Sequence, residues 1–225
     1  MQKLILVRHG ESEHHIRGLT GGWTDTPLTE RGKQQAELIG HALAAFKQDR
    51  CSCLFSSDLL RARQTAEIIS KSVGTRPVFR AELRELNNGV AKDKSLADAR
   101  SLELPMTKPR VEWEPYPGAE SWKAMSLRIT RFMSDIAARS SVETVLIVSH
   151  GGGMVAVIHW WLGLGEEYWS KISFELECGS ITRLTENCWG EKVISKLNDT
   201  SHLVAGNVAL YEEEGNEEKY RDERV

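Results

Sequence analysis

The sequence predicts an α/β sandwich of three layers, with helices on both faces of a mostly parallel central sheet. Three observations carry this expectation. Short apolar runs of strand length alternate with longer stretches in which apolar residues recur at helical spacing. Two of the runs, LILVRHG at residues 4–10 and VLIVSHG at residues 145–151, have the continuous apolar character of strands covered on both faces. Both runs finish on the same His-Gly pair, and in sheets of this kind ligands bind beyond the carboxyl ends of the strands. His9 and His150 are therefore expected at one rim of the sheet.

Taken in order, residues 3–7 form the first strand. After a glycine-rich loop, PLTERGKQQAELIGHALAAF has helical spacing, with Thr29 as its N-cap. CSCLFSS reads as a second strand and DLLRARQTAEIISKSV as a helix, with Ser57 or Asp58 well situated to cap it. PVFRAELREL holds a third strand and its exit. Residues 91–118 interrupt the alternation. They contain four of the six prolines (Pro105, Pro109, Pro115 and Pro117), a density that opposes a continuous helix or a central strand. A loop or small subdomain inserted beside the site is expected there, acting as a lid or specificity element. ESWKAMSLRITRFMSDIAARS reads as a long amphipathic helix, TVLIVSH as a fourth strand, and GGGMVAVIHWWLGL as a mostly apolar helix inside the fold. Apolar segments near Ile181 and Val193 flank ENCWGE as an antiparallel hairpin. One domain over residues 1–205 is predicted, followed by a tail at 206–225.

Composition narrows the function classes. The 225 residues are 40% hydrophobic, enough for one sizeable core. The net charge is −3 with both signs mixed, so no basic face for nucleic acid is expected. No apolar run approaches the roughly 20 residues needed to span a bilayer, and no secretory signal precedes the first strand, so a cytoplasmic protein without membrane partners is expected. Cys51, Cys53, Cys178 and Cys188 are too scattered for a disulfide scaffold. Cys51 and Cys53 have no second pair to complete a metal site, so reduced thiols are expected. Residues 212–225 hold seven acidic and three basic side chains and almost nothing apolar, the composition of a mobile solvated terminus. Homo-oligomerisation is left open, with an edge strand or the Trp-bearing helix as the surfaces available for it.

The rim has a definite chemistry. Arg8 flanks His9, and Arg61 lies in the first turn of the helix after the second strand, where its side chain can reach back. Glu85 follows the third strand, and Gly151 to Gly153 open the helix after His150 with bare backbone N–H groups at its positive end. Two arginines, two histidines and a helix N-terminus suit a compact dianion, and phosphate matches the guanidinium forks. A neutral imidazole whose tautomer is fixed by a backbone carbonyl can attack phosphorus with its other nitrogen. Glu85 is the candidate to protonate the leaving oxygen and then to activate water.

LVRHGES, GWTDTPLTERG, SSDLLRARQTA, LREL, GAES and VSHGG occur in an order that resembles the histidine phosphatase superfamily, with the phosphoglycerate-mutase-like fold, over roughly residues 1–203. The resemblance implies His9 as the phosphorylated nucleophile, Arg8, Arg61 and His150 as the phosphate pocket, and Glu85 as proton donor. It implies no metal and no other cofactor. His15, Gly22 and Gly151 complete the expected substrate-binding set, and the expected partner is a small phosphorylated substrate.

Two departures from the family pattern stand out. His15 occupies a position where many members have asparagine, and Gly21 replaces a polar residue before Gly22-Trp23. Glu85 is followed by Leu86-Asn87-Asn88-Gly89, without the cation that the glycolytic mutases carry there, which favours a phosphatase over a mutase. The alternatives are a cofactor-dependent phosphoglycerate-type mutase and a non-catalytic phosphoprotein-binding module. Other polar residues receive plainer roles. Glu82 is expected as a solvated strand residue, and Arg63, about 200° around the helix from Arg61, as a surface ion-pair partner. His14 and His15 are expected to diverge on an extended loop, which opposes joint metal ligation. His159, Trp160 and Trp161 are expected to pack in the core or at an interface. Lys92, Lys94, Arg100, Lys108 and Arg110 in the insertion suggest a negatively charged metabolite.

Overall fold

The computed structural model describes residues 2–45, 52–139 and 144–208. In chain order its elements are β1 (Lys3–Arg8), α1 (Glu13–Ile16), α2 (Glu30–Ala45), β2 (Cys53–Ser57), α3 (Leu60–Val73), β3 (Pro77–Arg80), α4 (Leu96–Ser101), α5 (Trp122–Arg139), β4 (Thr144–Ser149), α6 (Gly151–Leu162), β5 (Ile181–Glu186), β6 (Lys192–Asp199) and α7 (Ser201–Ala205), with short 3-10 turns between several of them. The six strands form one sheet in the order β3-β2-β4-β1-β5-β6. The first four are mutually parallel, while β5 pairs antiparallel with both β1 and β6. The predicted α/β class and the terminal hairpin are both present.

Alternation along the central strands divides the core between two layers of helices. Leu4, Leu6, Val145 and Ile147 face Met125, Ile129 and Met133 of α5 and Val155 and Ile158 of α6. Ile5, Val7, Leu146 and Val148 face Ile39 and Leu43 of α2 and Ala62, Ala66 and Ile69 of α3. Both faces of β1 and β4 are therefore buried, which is why these strands read as unbroken apolar runs. Their register pairs Leu4 with Val145 and Arg8 with Ser149, so the two strands finish level and His9 and His150 emerge side by side.

Local structure departs from expectation in three places. Thr29 does cap α2, accepting from the Gly32 N–H at 3.0 Å. The next helix is capped differently, because α3 begins at Leu60 and not at Asp58. Its Leu60 N–H is accepted by Asp25 from the loop after α1, at 2.6 Å, while Asp58 instead forms a two-pronged ion pair with Arg84 at 2.7 Å. Ser57 Oγ accepts the Leu59 N–H at 3.3 Å and so only prepares the start of the helix. Glu82 is solvent-exposed as expected, but it sits on a 3-10 turn at Ala81–Leu83, not on a strand. His14 and His15 do not diverge, because Glu13–Ile16 closes into the helical turn α1 and brings their ring centroids to 3.9 Å.

The insertion at 91–118 contains α4 and a 3-10 turn at Arg110–Glu112, and it folds back on itself through the Leu104 N–H to the Pro115 carbonyl at 2.9 Å. Arg63 ion-pairs with Glu67 on the surface, and His159 and Trp161 are buried. Cys53, Cys178 and Cys188 are in no disulfide among the described residues. Cys51 and the acidic stretch 212–225 lie outside the described residues. Among the described residues no helix is long and apolar enough to cross a membrane.

Candidate active site

The site forms where β1 and β4 end. His9 is 3% and His150 1% exposed, with ring centroids 5.0 Å apart in an edge-on arrangement. The His9 N–H bonds to the Ser149 carbonyl at 3.0 Å, so the sheet ladder itself ties one strand end to the other. Gly10 follows His9, and its carbonyl lies 2.7 Å from His9 Nδ1. On the other side of the ring, Arg61 Nε approaches His9 Nε2 at 3.1 Å. A carbonyl can only accept and a guanidinium can only donate. Both partners therefore impose the same tautomer, with the proton on Nδ1 and the lone pair of Nε2 turned into the pocket.

Arg61 is 1% exposed and carefully held. Its terminal nitrogens donate to the Thr24 and Gly22 carbonyls, each at 2.8 Å. Gly22 adopts φ +56°, and a Cβ there would stand 2.7 Å from the Asn88 side chain and the Leu86 carbonyl. Only glycine fits that turn, and its part in the site is to present a carbonyl to Arg61. Arg8 donates to the Leu176 carbonyl at 2.5 Å and passes close to Gly151 at the start of α6.

His150 Nε2 lies 2.8 Å from Ser57 Oγ. Its Nδ1 is buried and has no hydrogen-bond partner among the described residues. A buried ring nitrogen in that state is costly unless something else meets it. With the Ser57 hydroxyl donating to Nε2, Nδ1 carries the proton and is left as an unmet donor.

Charge in the pocket is one-sided. Burial, then Arg61, His150, His15 and Arg8, hold the His9 imidazole well below its ordinary pKa. Burial, followed by Arg61, does the same to His150. His15, stacked at 5.7 Å from His9, is lowered to about 3, first by burial and then by Arg8 and Arg61. Burial also pulls Arg61 down to about 10, which still leaves it charged at neutral pH. The result is a set of neutral imidazoles beside two guanidinium groups, an environment that attracts an anion while the His9 ring stays unprotonated.

Glu85 closes the far side. Its two carboxyl oxygens accept from the Leu86 N–H and the Gly152 N–H, each at 2.9 Å. The Gly152 N–H, expected as part of the anion cradle, is therefore committed to Glu85. A Cβ on residue 152 would fall 2.5 Å from Glu85 Oε1, so glycine is needed for that approach. The backbone carrying Glu85 is clamped twice. Trp23 Nε1 donates to the Glu85 carbonyl at 2.8 Å. Arg128, paired through both prongs with Glu120, donates to the Glu82 carbonyl at 2.7 Å and the Arg84 carbonyl at 3.2 Å.

The structure thus gathers His9, Arg8, Arg61, His150, Glu85, His15, Gly22 and Gly151 at one rim, with Gly22 and the neighbouring Gly152 in supporting roles. Sequence reasoning missed Ser57 behind His150, Asp25 at the head of α3, and the Arg128–Glu120 clamp. Glu120 lies inside the GAES motif, which gave a signal without a role. Among the described residues no group of three or more His, Cys, Asp or Glu side chains is arranged to hold a metal ion.

Comparison with known proteins agrees with the fold. The chain is 30% identical over 212 residues to a probable phosphoglycerate mutase, GpmB, of Salmonella paratyphi C, covering 91% of this chain and 96% of the relative. The alpha-ribazole phosphatase of Shigella flexneri superposes with a TM-score of 0.76 at 24% identity, over 88% of this chain and 96% of that one. A phosphoserine phosphatase from Entamoeba histolytica, solved with 3-phosphoglyceric acid, superposes with a TM-score of 0.71 at 25% identity, over 90% of this chain and all of that one. The family model of the histidine phosphatase superfamily (branch 1) matches residues 4–200, and the chain belongs to that superfamily.

Proposed function

We propose that the protein is a metal-independent phosphomonoesterase that hydrolyses a small phosphorylated metabolite through a phosphohistidine on His9. The observation that carries this reading is the double restraint on the His9 ring, the Gly10 carbonyl on Nδ1 and Arg61 on Nε2, which leaves a neutral nitrogen lone pair facing an anion pocket.

In the first step a phosphoryl group docks against Arg8, Arg61 and His150, and one of its oxygens takes over the Arg61 N–H now directed at Nε2. Nε2 attacks phosphorus in line with the ester oxygen. The P–N bond forms, the P–O bond breaks, and protonated Glu85 gives its proton to the departing alkoxide. The imidazolium charge stays beside the Gly10 carbonyl, while the guanidinium groups and His150 take up charge on the equatorial oxygens. In the second step the Glu85 carboxylate takes a proton from water as the water oxygen attacks phosphorus. The P–N bond then breaks and returns its electron pair to Nε2. The deep burial of His9 and His150 keeps bulk water from competing with the first step.

A mutase is the second reading, favoured by the name of the Salmonella relatives. It would return the phosphoryl group to a sugar acid in place of water. Leu86 stands where the glycolytic mutases carry a cation, which weighs against it. Phosphate release from a generic aryl phosphate in excess chelator tests the proposal. Turnover that persists supports it, and turnover that vanishes with chelator overturns it. Interconversion of phosphoglycerates faster than phosphate release would establish the mutase instead. Stoichiometric phosphopeptide binding without turnover would establish the non-catalytic module.

A further inference from the structure

A cavity is lined in part by Leu86, the residue that follows Glu85 in the chain. It measures about 320 Å³, and its lining includes Leu86, Trp113, Trp122 and Trp169, with Arg110 and Lys171. Four separate parts of the chain build it, Trp122 at the start of α5 being one. Leu86 follows Glu85, Arg110 and Trp113 come from the proline-rich insertion, and Trp169 and Lys171 come from the segment after α6.

Two of these residues tie the cavity to the chemistry. The Leu86 N–H is one of the two donors that hold the Glu85 carboxyl. A Cβ on Gly152 would meet Glu85 Oε1 at 2.5 Å and the Trp122 ring at 3.2 Å, so the carboxyl and the indole bracket the same point. The group that receives a proton from Glu85 is the leaving oxygen, and whatever that oxygen carries therefore extends past Trp122. Resting on the phosphomonoesterase reading above, we infer that this cavity is the leaving-group subsite and that it takes a flat aromatic ring.

The chemistry of the walls supports that class. The volume lies at the lower end of small-molecule sites, about 300–1,000 Å³. Three indoles offer broad apolar faces, against which a ring gains more than its buried area alone gives. A short hydrophilic acid would displace water from these faces without replacing its hydrogen bonds. The Trp122 indole N–H is buried and has no partner among the described residues, so an oxygen or ring nitrogen on the ligand would satisfy it. Arg110 and Lys171 add positive charge, which favours a ring with an acidic substituent over one with an ammonium group. Trp113 is steadied by its own N–H to the Leu104 carbonyl at 3.2 Å, so the insertion presents it in a fixed place.

The test compares 3-phenylpropyl phosphate with propyl phosphate, whose leaving alcohols are alike in acidity, so that any preference reports binding of the ring. For wild-type protein kcat/KM is expected to be about tenfold or more higher for the phenyl ester. Trp113→Ala is expected to remove most of that preference through KM while leaving propyl phosphate within about twofold, which also controls for folding. The matching phosphonates, titrated by tryptophan fluorescence, give the same comparison without turnover. A protein that binds the phenylpropylphosphonate preferentially but hydrolyses neither ester would retain the subsite and lose the phosphatase reading. Equal binding of the two phosphonates, or an equal loss on both in Trp113→Ala, would overturn the subsite.

Discussion

The two halves of this site are built by different means. The phosphoryl half hangs on the register of two central strands. Pairing of Arg8 with Ser149 forces His9 and His150 together, and α3 and α6 start from the same rim. The leaving-group half is assembled from the exit of β3, the insertion, the start of α5 and the segment after α6, none of which belongs to the sheet. The phosphoryl half can do one thing, because its geometry is fixed by packing on both faces of the sheet. The other half can change its lining without disturbing that packing, which is how one scaffold can serve many esters.

This division makes predictions that separate the halves. The largest effect is expected from His9→Ala, which removes the proposed nucleophile. Its kcat should fall by about 10⁴-fold or more on every ester, aryl or alkyl, by steady-state assay. Loss restricted to one class of leaving group would break the division.

Glu85→Gln comes next. The amide preserves the shape but carries no transferable proton, and kcat/KM on alkyl esters should fall by about 10²–10⁴-fold. An aryl ester with an acidic phenol leaves with little help, so its loss should be clearly smaller. Equal losses across a series of leaving groups of graded acidity would remove Glu85 from the role of acid.

Gly152→Ala sharpens the boundary between the halves. The new methyl group displaces the Glu85 carboxyl and presses on Trp122. A fall in kcat of about tenfold or more is expected on alkyl esters. Unchanged kinetics would show that Glu85 has room to move.

The smallest effect concerns acid stability. His15 has its pKa lowered to about 3, chiefly by burial, against about 6.5 when unfolded. Between those values the unfolded chain binds a proton that the folded one refuses. The stability from this group is therefore intact above about pH 6.5 and falls as pH drops toward 3, by about 1.4 kcal/mol per unit. His15→Asn lacks this titration. At pH 5.5 it should recover about 1 kcal/mol relative to its difference at pH 7.5, read as a Tm difference of about 2–4 °C. A Tm difference independent of pH would contradict the burial of an uncharged His15 ring beside the arginines.

The same division explains what could be read from the sequence. His9 and His150 were legible because strands buried on both faces leave unbroken apolar runs, and the residue after such a run has only one rim to occupy. Arg61 was legible because the first turn of a helix after a parallel strand returns to that rim. Asp58 misled as a cap, since its carboxylate had a stronger partner in Arg84, 26 residues away. Asp25 supplies the cap through a loop contact that no spacing announces. His14 and His15 misled for a related reason, because a four-residue helical turn carries too little periodicity to be seen. The clamp of Arg128 on the Glu85 backbone and the meeting of Trp113, Trp122 and Trp169 depend on tertiary packing of loops. Nothing in hydrophobic pattern or capping chemistry encodes those distances.

The most direct test of the central claim is to trap the intermediate. Protein mixed with a labelled aryl phosphate of an acidic phenol, whose departure needs little help from Glu85, is quenched in alkaline denaturant, which preserves phosphohistidine, and the modified residue is located by mass spectrometry. Phosphate on His9, absent from His9→Ala and increased in Glu85→Gln, whose second step lacks its base, is the predicted result. Phosphate on another residue, or turnover in His9→Ala at the wild-type rate, would contradict the account.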